Sequence, residues 1–253
     1  MANITQSVDG GIVVLTIDNE GKRNAFTHAM TAELGRRLMA AESDPAVKCV
    51  VITGRGEVAF SSGHDLREML ADRDNASDAA LNEPFLMPAT MTTPTIAAIN
   101  GFAFAAGFIL AISCDFRICS INASFAAPGA RIGLLPIGGQ LSRLPALMPR
   151  AIAHDLLITC REMKADEAGR LGFANRVVPA GQALAASLEM ASSIARNSTS
   201  VVRAIKSGLE IYEQNGGIAA KTYEWDAGNR LQKEPDAEEG MRAFLEKRTP
   251  QFL

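Results

Sequence analysis

The chain has 253 residues, of which 47% are hydrophobic, and its formal net charge is -3. This length suits one large domain or two small ones, and the composition is typical of a globular protein with a sizeable core. The weak acidic charge provides no basic field to attract nucleic acid or an anionic membrane surface, so neither is an expected partner.

The cysteines and the N-terminus favour a reducing compartment. Four cysteines lie among apolar neighbours without a CxxC pair, which indicates reduced core residues: Cys49, Cys114, Cys119 and Cys160. No His-rich stretch accompanies them, so no metal site is expected. The first residues lack a basic start followed by an apolar run, so a cytoplasmic location is expected.

Apolar patterns in the first part of the chain predict alternating strands and helices. β-Branched residues favour strands over residues 3–8, 11–18 and 48–53, with a hairpin at Asp9-Gly10-Gly11 between the first two. Apolar residues spaced four apart predict an amphipathic helix that ends near residue 42: Phe26, Met30, Leu34 and Leu38. A loop then runs over residues 54–63, and a helical stretch begins at Asp65.

The middle of the chain contains two ambiguous segments. Residues 72–84 are polar and alanine-rich, which predicts a mobile surface loop or a frayed helix. Residues 94–114 are almost uniformly apolar and approach the length of a membrane helix. However, β-branched residues at 95–99, a turn at Asn100-Gly101 and a following apolar run indicate strand, turn and helix. Because no companion segment or flanking basic cluster accompanies this run, membrane insertion is not expected.

The remainder of the chain predicts short strands and then helices. Strands are expected at 116–119 and 124–126, a Pro/Gly-rich loop at 128–139, helices at 151–159 and 165–171, and an edge strand at 176–179. From residue 181 the pattern is almost entirely helical. The order of elements predicts an α/β domain over residues 1–195 and a helical region over residues 196–253.

Several motifs in order resemble the crotonase family, also called the enoyl-CoA hydratase/isomerase family. They are Arg23-Asn24-Ala25-Phe26, Ala59-Phe60-Ser61-Ser62-Gly63-His64-Asp65-Leu66, Pro94-Thr95-Ile96-Ala97-Ala98-Ile99-Asn100-Gly101, Ser113-Cys114-Asp115, Phe125-Ala126-Ala127-Pro128 and Glu239-Gly240-Met241-Arg242-Ala243-Phe244-Leu245-Glu246-Lys247-Arg248. The resemblance implies an α/β fold of the ClpP/crotonase type, a spiral of stacked β-β-α turns with a helical C-terminal trimerisation region. It also implies an acyl-CoA substrate, no cofactor beyond the coenzyme A of that substrate, and a homotrimer or dimer of trimers.

The chemistry of this family explains the two strand-turn-helix motifs. Reactions beside a thioester pass through an enolate, whose oxygen is stabilised by two fixed backbone N–H groups. The resemblance assigns these donors to His64 and Ala106. Turns that open a helix suit the role because the substrate carbonyl must approach the backbone and helix N-termini favour negative charge.

This sequence departs from the hydratase pattern at the acid/base positions. Ala105-Ala106-Gly107 replaces three glycines, which narrows the space without removing an N–H group. Ile109 and Gly129 stand where a hydratase carries its two catalytic glutamates. Because hydration needs groups that activate water and protonate the α-carbon, weak or absent hydration is expected, unless Glu68, Asp72 or another residue of the 72–84 segment supplies a carboxylate.

His64 is the candidate for acid/base chemistry, because the pKa of imidazole allows proton transfer near neutral pH. Its Gly-His-Asp context resembles the decarboxylases of the family, although their tyrosine is absent from the following loop. Two roles are open: the ring takes part in the reaction, or it packs outward while only its N–H serves. Asp65 adjoins the expected substrate path, and its carboxylate is expected to cap the next helix.

The resemblance to the family also implies which residues contact coenzyme A. The backbone at Ala25, Ser62 and Leu66 is expected to line the adenine and pantetheine path, with Gly129 near the acyl group. Basic side chains at Lys22 and Arg23 suit phosphate oxygens. Phe244 and Lys247 are expected to arrive from a neighbouring subunit.

For four further polar residues, roles outside the chemistry of the site are preferred. Arg131 and Gln140 lie in or beside the 128–139 loop, where a contact with a polar acyl chain and a surface or inter-subunit role are both open, the second being preferred. His28 and His154 are interpreted as ordinary helix residues.

Three functions are therefore consistent with the sequence. The first is an enzyme that stabilises an acyl-CoA enolate, grouped with hydratases and isomerases. The second is an acyl-CoA decarboxylase that uses His64. The third is a non-catalytic acyl-CoA-binding or regulatory protein.

Overall fold

The structure, a computed structural model, describes residues 2–71 and 79–252. Strands in these ranges are β1 (Asn3–Asp9), β2 (Ile12–Asp18), β3 (Cys49–Gly54), β4 (Ala59–Ser61), β5 (Thr95–Ile99), β6 (Phe102–Phe104), β7 (Phe116–Ser120), β8 (Ser124–Ala126), β9 (Met163–Lys164) and β10 (Arg176–Val178). Helices are α1 (His28–Ser43), α2 (Leu66–Ala71), α3 (Ala79–Thr90), α4 (Ala106–Ser113), α5 (Leu144–Leu147), α6 (Arg150–Thr159), α7 (Ala165–Arg170), α8 (Ala183–Ala195), α9 (Thr199–Leu231) and α10 (Pro235–Glu246).

The strands form two sheets that the chain enters alternately. The larger sheet has the order β1-β2-β3-β5-β7-β10 and the smaller β4-β6-β8-β9. The chain runs from β3 to β4 and then α2, and from β5 to β6 and then α4, so each turn places one strand in each sheet before a helix. This repetition confirms the predicted α/β spiral of stacked β-β-α turns.

Both faces of the larger sheet are covered, which is why its central strands read as continuous apolar runs. Every residue of β3 is buried. Because side chains alternate along a strand, Val50 and Ile52 join the main core with α1, whereas Cys49 and Val51 pack in a second cluster against α8. The expected hairpin forms at Asp9, where β1 turns into β2 through two glycines with positive φ.

The cysteines are core residues, as predicted. All four are free and buried. Burial raises the pKa of Cys49, Cys114 and Cys119 to about 12, so these thiols stay protonated.

A buried arginine fixes the C-terminal end of α4. Arg117 donates to the carbonyl oxygens of Cys114 and Phe173, each at 2.7 Å, and its guanidinium lies 5.0 Å from the centre of the Phe173 ring. Cations favour the C-terminal end of a helix because its carbonyls carry partial negative charge. Arg117 therefore anchors the helix whose first residue is Ala106.

The C-terminal helices attach to the core through basic side chains of α9. Arg203 donates to the Val47 carbonyl at 3.2 Å, and Lys206 donates to the carbonyls of Pro88 and Thr93 at 2.8 and 3.0 Å. Gly216 has non-helical backbone angles, φ 79° and ψ 178°, so α9 consists of two helical segments. The predicted division at residue 195 falls between α8 and α9.

Three local predictions need correction. Strand β4 lies within the predicted 54–63 loop, and β6 separates the predicted strand 95–99 from α4. A 3-10 helix, Pro128–Ile132, occupies part of the predicted 128–139 loop. Of the two alternatives predicted for residues 72–84, the helix holds for residues 79–84, which begin α3, and residues 72–78 lie outside the described part. Strand β4 lies among the glycine and serine residues of the predicted loop, and β6 runs directly into the apolar sequence of α4, so neither strand has a visible boundary in the sequence.

Among the helices of the described ranges, none combines the length and apolarity that a membrane crossing requires.

Candidate active site

Two turns meet at the edge of the smaller sheet. Strands β4 and β6 are parallel neighbours, so their C-terminal ends lie side by side and bring Gly63-His64 next to Ala105-Ala106. Gly63 has φ +98°, and a Cβ built on it would lie 2.8 Å from the Ala105 Cβ and 3.1 Å from the Ala106 nitrogen. The turns pack so closely that only glycine fits at position 63.

The backbone N–H groups of His64 and Ala106 are available to a ligand. Phe26 donates to the Gly63 carbonyl and accepts from the Asp65 N–H, both at 2.8 Å, and its bridge to His64 is parallel. Amides alternate in direction along an extended chain, so the intervening His64 N–H points away from Phe26. In the described ranges, no residue accepts a hydrogen bond from either N–H group. Ala106 also begins α4, where the helix favours negative charge.

The His64 ring is held in place by α3. It packs edge-to-face on Phe85, with ring centroids 5.0 Å apart, and it hydrogen-bonds to the Asn82 side chain. Burial lowers the pKa of His64 and the electrostatic interaction with His28 adds to the effect, whereas the hydrogen bond to Asn82 and the interaction with Glu68 oppose it. The ring is therefore neutral at pH 7 and free to accept a proton.

A cavity of about 390 Å³ opens beside the two turns. Its polar side chains are Ser62, His64, Asn82 and Gln140, and the rest of its lining is apolar or backbone: Leu66, Met69, Ala105, Ala106, Ile109, Ala127, Pro128, Gly129, Ile132, Leu134, Leu135, Pro136 and Ile137. Within the described part of the chain, no Asp or Glu lines the cavity, and His64 is its one side chain that titrates near neutral pH.

Ile109 and Gly129 both line this cavity. Ile109 is buried, and a Cβ built on Gly138 would meet its Cδ1 at 2.7 Å, so the Ile109 side chain fills the space under the loop. A Cβ built on Gly129 would lie 2.6 Å from the Leu134 carbonyl oxygen. A side chain at residue 129 is therefore excluded by the backbone of its own loop.

The residues expected to contact coenzyme A fall into two groups. Ser62 donates its N–H to the Arg23 carbonyl at 3.1 Å, and its hydroxyl to the Lys22 carbonyl at 3.4 Å. These contacts place the loop with Lys22, Arg23 and the buried Ala25 beside the cavity entrance at Ser62 and Leu66. Phe244 and Lys247, on or next to α10, do not line the cavity of their own chain.

Asp65 supports the entrance rather than the chemistry. Its Oδ2 accepts from the Lys22 ammonium at 2.6 Å, and its Oδ1 accepts from the Arg67 N–H at 3.0 Å. The second contact caps α2, as expected. Hydrogen bonding to Lys22 lowers the pKa of Asp65, which keeps the carboxylate ionised.

Arg131 and Gln140 have different environments in the structure. Arg131 is exposed and donates to the Cys160 carbonyl at 3.1 Å, so its surface role agrees with the prediction. The preferred surface or inter-subunit role of Gln140 is wrong, because its side chain is 4% exposed and lines the cavity. The double glycine before it turns the chain inward, with φ +68° at Gly138 and +83° at Gly139.

A family model described as enoyl-CoA hydratase/isomerase matches residues 7–253. The chain belongs to the enoyl-CoA hydratase/isomerase family. It is 38% identical to a carnitinyl-CoA dehydratase of Proteus mirabilis over 96% of this chain and 95% of that protein. It is 35% identical to a carnitinyl-CoA dehydratase of Salmonella enteritidis over 96% and 95%.

Solved structures of the same family share the fold. An enoyl-CoA hydratase from Bacillus anthracis superposes with a TM-score of 0.95 at 30% identity, covering 99% of this chain and 98% of that one. An enoyl-CoA hydratase from a Polaromonas species gives 0.92 at 33% identity, covering 99% and 100%. These similarities show an enzyme family that acts on acyl-CoA.

Sequence analysis missed Asn82 and Phe85, the two α3 residues that hold the His64 ring. Asn82 lies within the 72–84 segment, for which a mobile loop and a frayed helix are both predicted, and Phe85 follows it directly; Pro84 and Pro88 lie inside the helix. The apolar pairing of Phe85 with Phe26, at 4.8 Å between ring centroids, is a long-range contact that no local pattern reveals. In this enoyl-CoA hydratase/isomerase family member, the histidine environment became visible only in three dimensions.

Proposed function

We propose that this chain catalyses a lyase or isomerase reaction of an acyl-CoA through an enolate held by the N–H groups of His64 and Ala106. The observation that supports this proposal is that the two donors lie side by side at the wall of the cavity, without protein acceptors in the described ranges. Each such donor is worth roughly 100- to 1,000-fold in rate in comparable sites.

The His64 imidazole is the proposed acid/base group. It lines the cavity, it is neutral at pH 7 because burial lowers its pKa, and Asn82 and Phe85 fix its orientation. A positioned base typically supplies about 100- to 10,000-fold. With Ile109 and Gly129 unable to transfer protons, His64 exchanges the proton at the α-carbon, and hydration of simple enoyl-CoA thioesters is slow.

The relatives named carnitinyl-CoA dehydratase support a lyase reaction, in which loss of water follows α-proton removal. The described lining offers no Phe, Tyr or Trp ring and no carboxylate to receive a trimethylammonium group. Aromatic cages are the usual way to bind such a group. We therefore propose that the acyl group of this chain's substrate is not carnitinyl.

Proton exchange at the α-carbon tests the proposal, because every acyl-CoA with an α-hydrogen can undergo it, whatever the rest of the acyl chain. Butyryl-CoA is incubated with the protein in D2O, and deuterium at the α-carbon is measured by mass spectrometry. Wild type is expected to exchange, and His64→Gln, which keeps the backbone N–H, is expected to exchange about 100-fold more slowly. His154→Gln, on α6 and outside the cavity lining, is the matched control.

Two further substrates separate the alternatives. Rapid hydration of crotonyl-CoA would contradict the role given to Ile109 and Gly129. Release of CO2 from methylmalonyl-CoA, lost in His64→Gln, would favour a decarboxylase. Binding of butyryl-CoA and crotonyl-CoA without exchange or turnover would favour a non-catalytic binder and overturn the proposal.

We also propose a trimer or a dimer of trimers in the cytoplasm. Helix α10 exposes Met241, Phe244 and Leu245, and α9 exposes Ile218 and Trp225. Phe244 and Leu245 follow Met241 by three and four residues, so the three share one face of α10. An exposed apolar face of this kind is typical of a protein interface. In that assembly Phe244 and Lys247 of one subunit approach the coenzyme A bound to another.

A further inference from the structure

Among the side chains that line the described part of the cavity, that of Gln140 has a buried polar atom without a protein partner. Gln140 is 4% exposed, and its Oε1 is buried without a hydrogen bond in the described ranges. Its Nε2 donates to the Ile137 carbonyl at 3.0 Å. Because the nitrogen is occupied within its own loop, the amide orientation is fixed and the oxygen is the atom that is left for a ligand.

The loop around Gln140 is anchored at both ends. The Gly139 carbonyl accepts from the Arg143 N–H at 2.7 Å, and the Arg143 guanidinium binds Glu210 and Glu213 of α9 at 2.7 and 3.2 Å. The side chain of Ile109 packs under Gly138. Gln140 is therefore a preorganised group, held by the C-terminal helices on one side and by α4 on the other.

The position of Gln140 relative to the N–H groups of His64 and Ala106 determines which part of an acyl-CoA it can contact. Ile109, which lies against the loop, is one helical turn after Ala106, the donor for the thioester oxygen. A ligand carbonyl bound at Ala106 therefore directs its acyl chain along the wall formed by Ile109 and the loop of Gln140. The rest of that wall is apolar, so Gln140 is the polar anchor for the acyl chain.

We propose that Gln140 is a specificity-determining residue that selects acyl chains carrying a hydrogen-bond donor, such as a hydroxyl group. This inference rests on the proposed acyl-CoA function. A buried carbonyl oxygen without a partner favours a ligand that donates to it. An acyl carboxylate or oxo group presents only acceptors to this oxygen and is disfavoured.

Calorimetric titration of the full chain tests the inference. The ligands are butyryl-CoA, 3-hydroxybutyryl-CoA, 4-hydroxybutyryl-CoA and malonyl-CoA, and mass spectrometry of the recovered ligand separates binding from turnover. In wild type, at least one hydroxyacyl ligand is expected to bind about 3- to 10-fold more tightly than butyryl-CoA, as one net hydrogen bond provides. Malonyl-CoA is expected to bind more weakly than butyryl-CoA.

Gln140→Leu removes the acceptor and keeps an apolar side chain of similar size. It is expected to retain butyryl-CoA binding and to lose the hydroxyl preference, so that the ratio falls to about 1. Gln182→Leu, at an exposed position before α8, is the matched control and is expected to keep the wild-type ratio. Thermal unfolding checks that each variant is folded.

The outcomes distinguish the two proposals. A hydroxyl preference that is equal in wild type and Gln140→Leu, or absent from wild type while butyryl-CoA still binds, overturns the inference on Gln140 alone. If wild type binds none of the four thioesters, the proposed acyl-CoA function fails as well. Should Gln140→Leu unfold, the wild-type ranking of hydroxyacyl, butyryl and malonyl thioesters still decides the inference.

Discussion

Replacing Gly63 with alanine should disrupt the paired backbone donors. The added Cβ would lie 2.8 Å from the Ala105 Cβ and 3.1 Å from the Ala106 nitrogen. Carbon atoms in good contact are about 3.5 Å apart, so the turns carrying His64 and Ala106 must separate by roughly 0.7 Å. Gly63 also has φ +98°, a conformation that costs an alanine about 1–2 kcal/mol.

The expected loss of activity follows from donor geometry. Oxyanion donors act at about 2.7–3.1 Å, and removing one typically costs about 100- to 1,000-fold in rate, or about 2.7–4 kcal/mol. A separation of the turns by more than this window displaces one donor from the enolate oxygen. The α-proton exchange rate of Gly63→Ala with butyryl-CoA should therefore fall by about 100-fold or more.

A second substitution tests the cause of this loss. Gly63→Ala combined with Ala105→Gly removes the partner atom of the 2.8 Å contact, but the 3.1 Å contact with the Ala106 nitrogen persists. Exchange in the double variant should recover in part, while urea unfolding shows that all variants are folded. Wild-type exchange in Gly63→Ala, or no recovery in the double variant, would refute the reasoning.

Ala105→Gly alone should raise the free energy of unfolding by about 1 kcal/mol in urea denaturation, because Ala105 has φ 48° and ψ -118°, a region that glycine adopts without strain. For His64, burial places the folded pKa below the unfolded value of about 6.5, so the free energy of unfolding should be fully present above pH 6.5 and decrease as pH falls. Exchange should decline over the same range, and in His64→Gln both pH dependences should weaken. Lys206→Met should cost about 3 kcal/mol in the same unfolding assay because it leaves Asp115, 2.8 Å from the Lys206 ammonium, without its cation; a cost below about 1 kcal/mol would contradict this. Phe244→Asp should dissociate the proposed trimer in light scattering after size exclusion, and an unchanged mass would place the interface elsewhere.

The fold was predictable where burial produces a pattern. The strand predicted at residues 48–53 corresponds to β3 (Cys49–Gly54), which is apolar throughout because both faces of the sheet are covered, and α1 is recognisable because one of its faces is apolar. Strands β4 and β6 were missed because β4 lies among glycine and serine residues and β6 continues directly into the apolar sequence of α4, so the sequence marks no boundary for either. Their pairing, which creates the site, depends on contacts between residues some 40 positions apart.

Of the candidate site, the sequence predicted the two backbone N–H donors but not the surroundings of the side chains. The resemblance to the crotonase family, carried by several motifs in order, assigned the two donors to His64 and Ala106. The orientation of the His64 ring depends on Asn82 and Phe85 from α3, a helix that contains two prolines and lacks a clear apolar period. Gln140 was assigned to the surface because a polar residue in a Pro/Gly-rich loop is usually exposed.

The two functions of His64 reinforce each other in the proposed mechanism. When the neutral ring takes the α-proton, it becomes a cation next to the enolate, whose oxygen is held by the N–H of the same residue. In the largely apolar cavity, opposite charges attract far more strongly than in water. The pKa of His64, lowered by burial in the free protein, therefore rises when the enolate forms. The neutral base that accepts the proton thus becomes the cation that stabilises the resulting charge, whereas a carboxylate base would become neutral and add no positive charge.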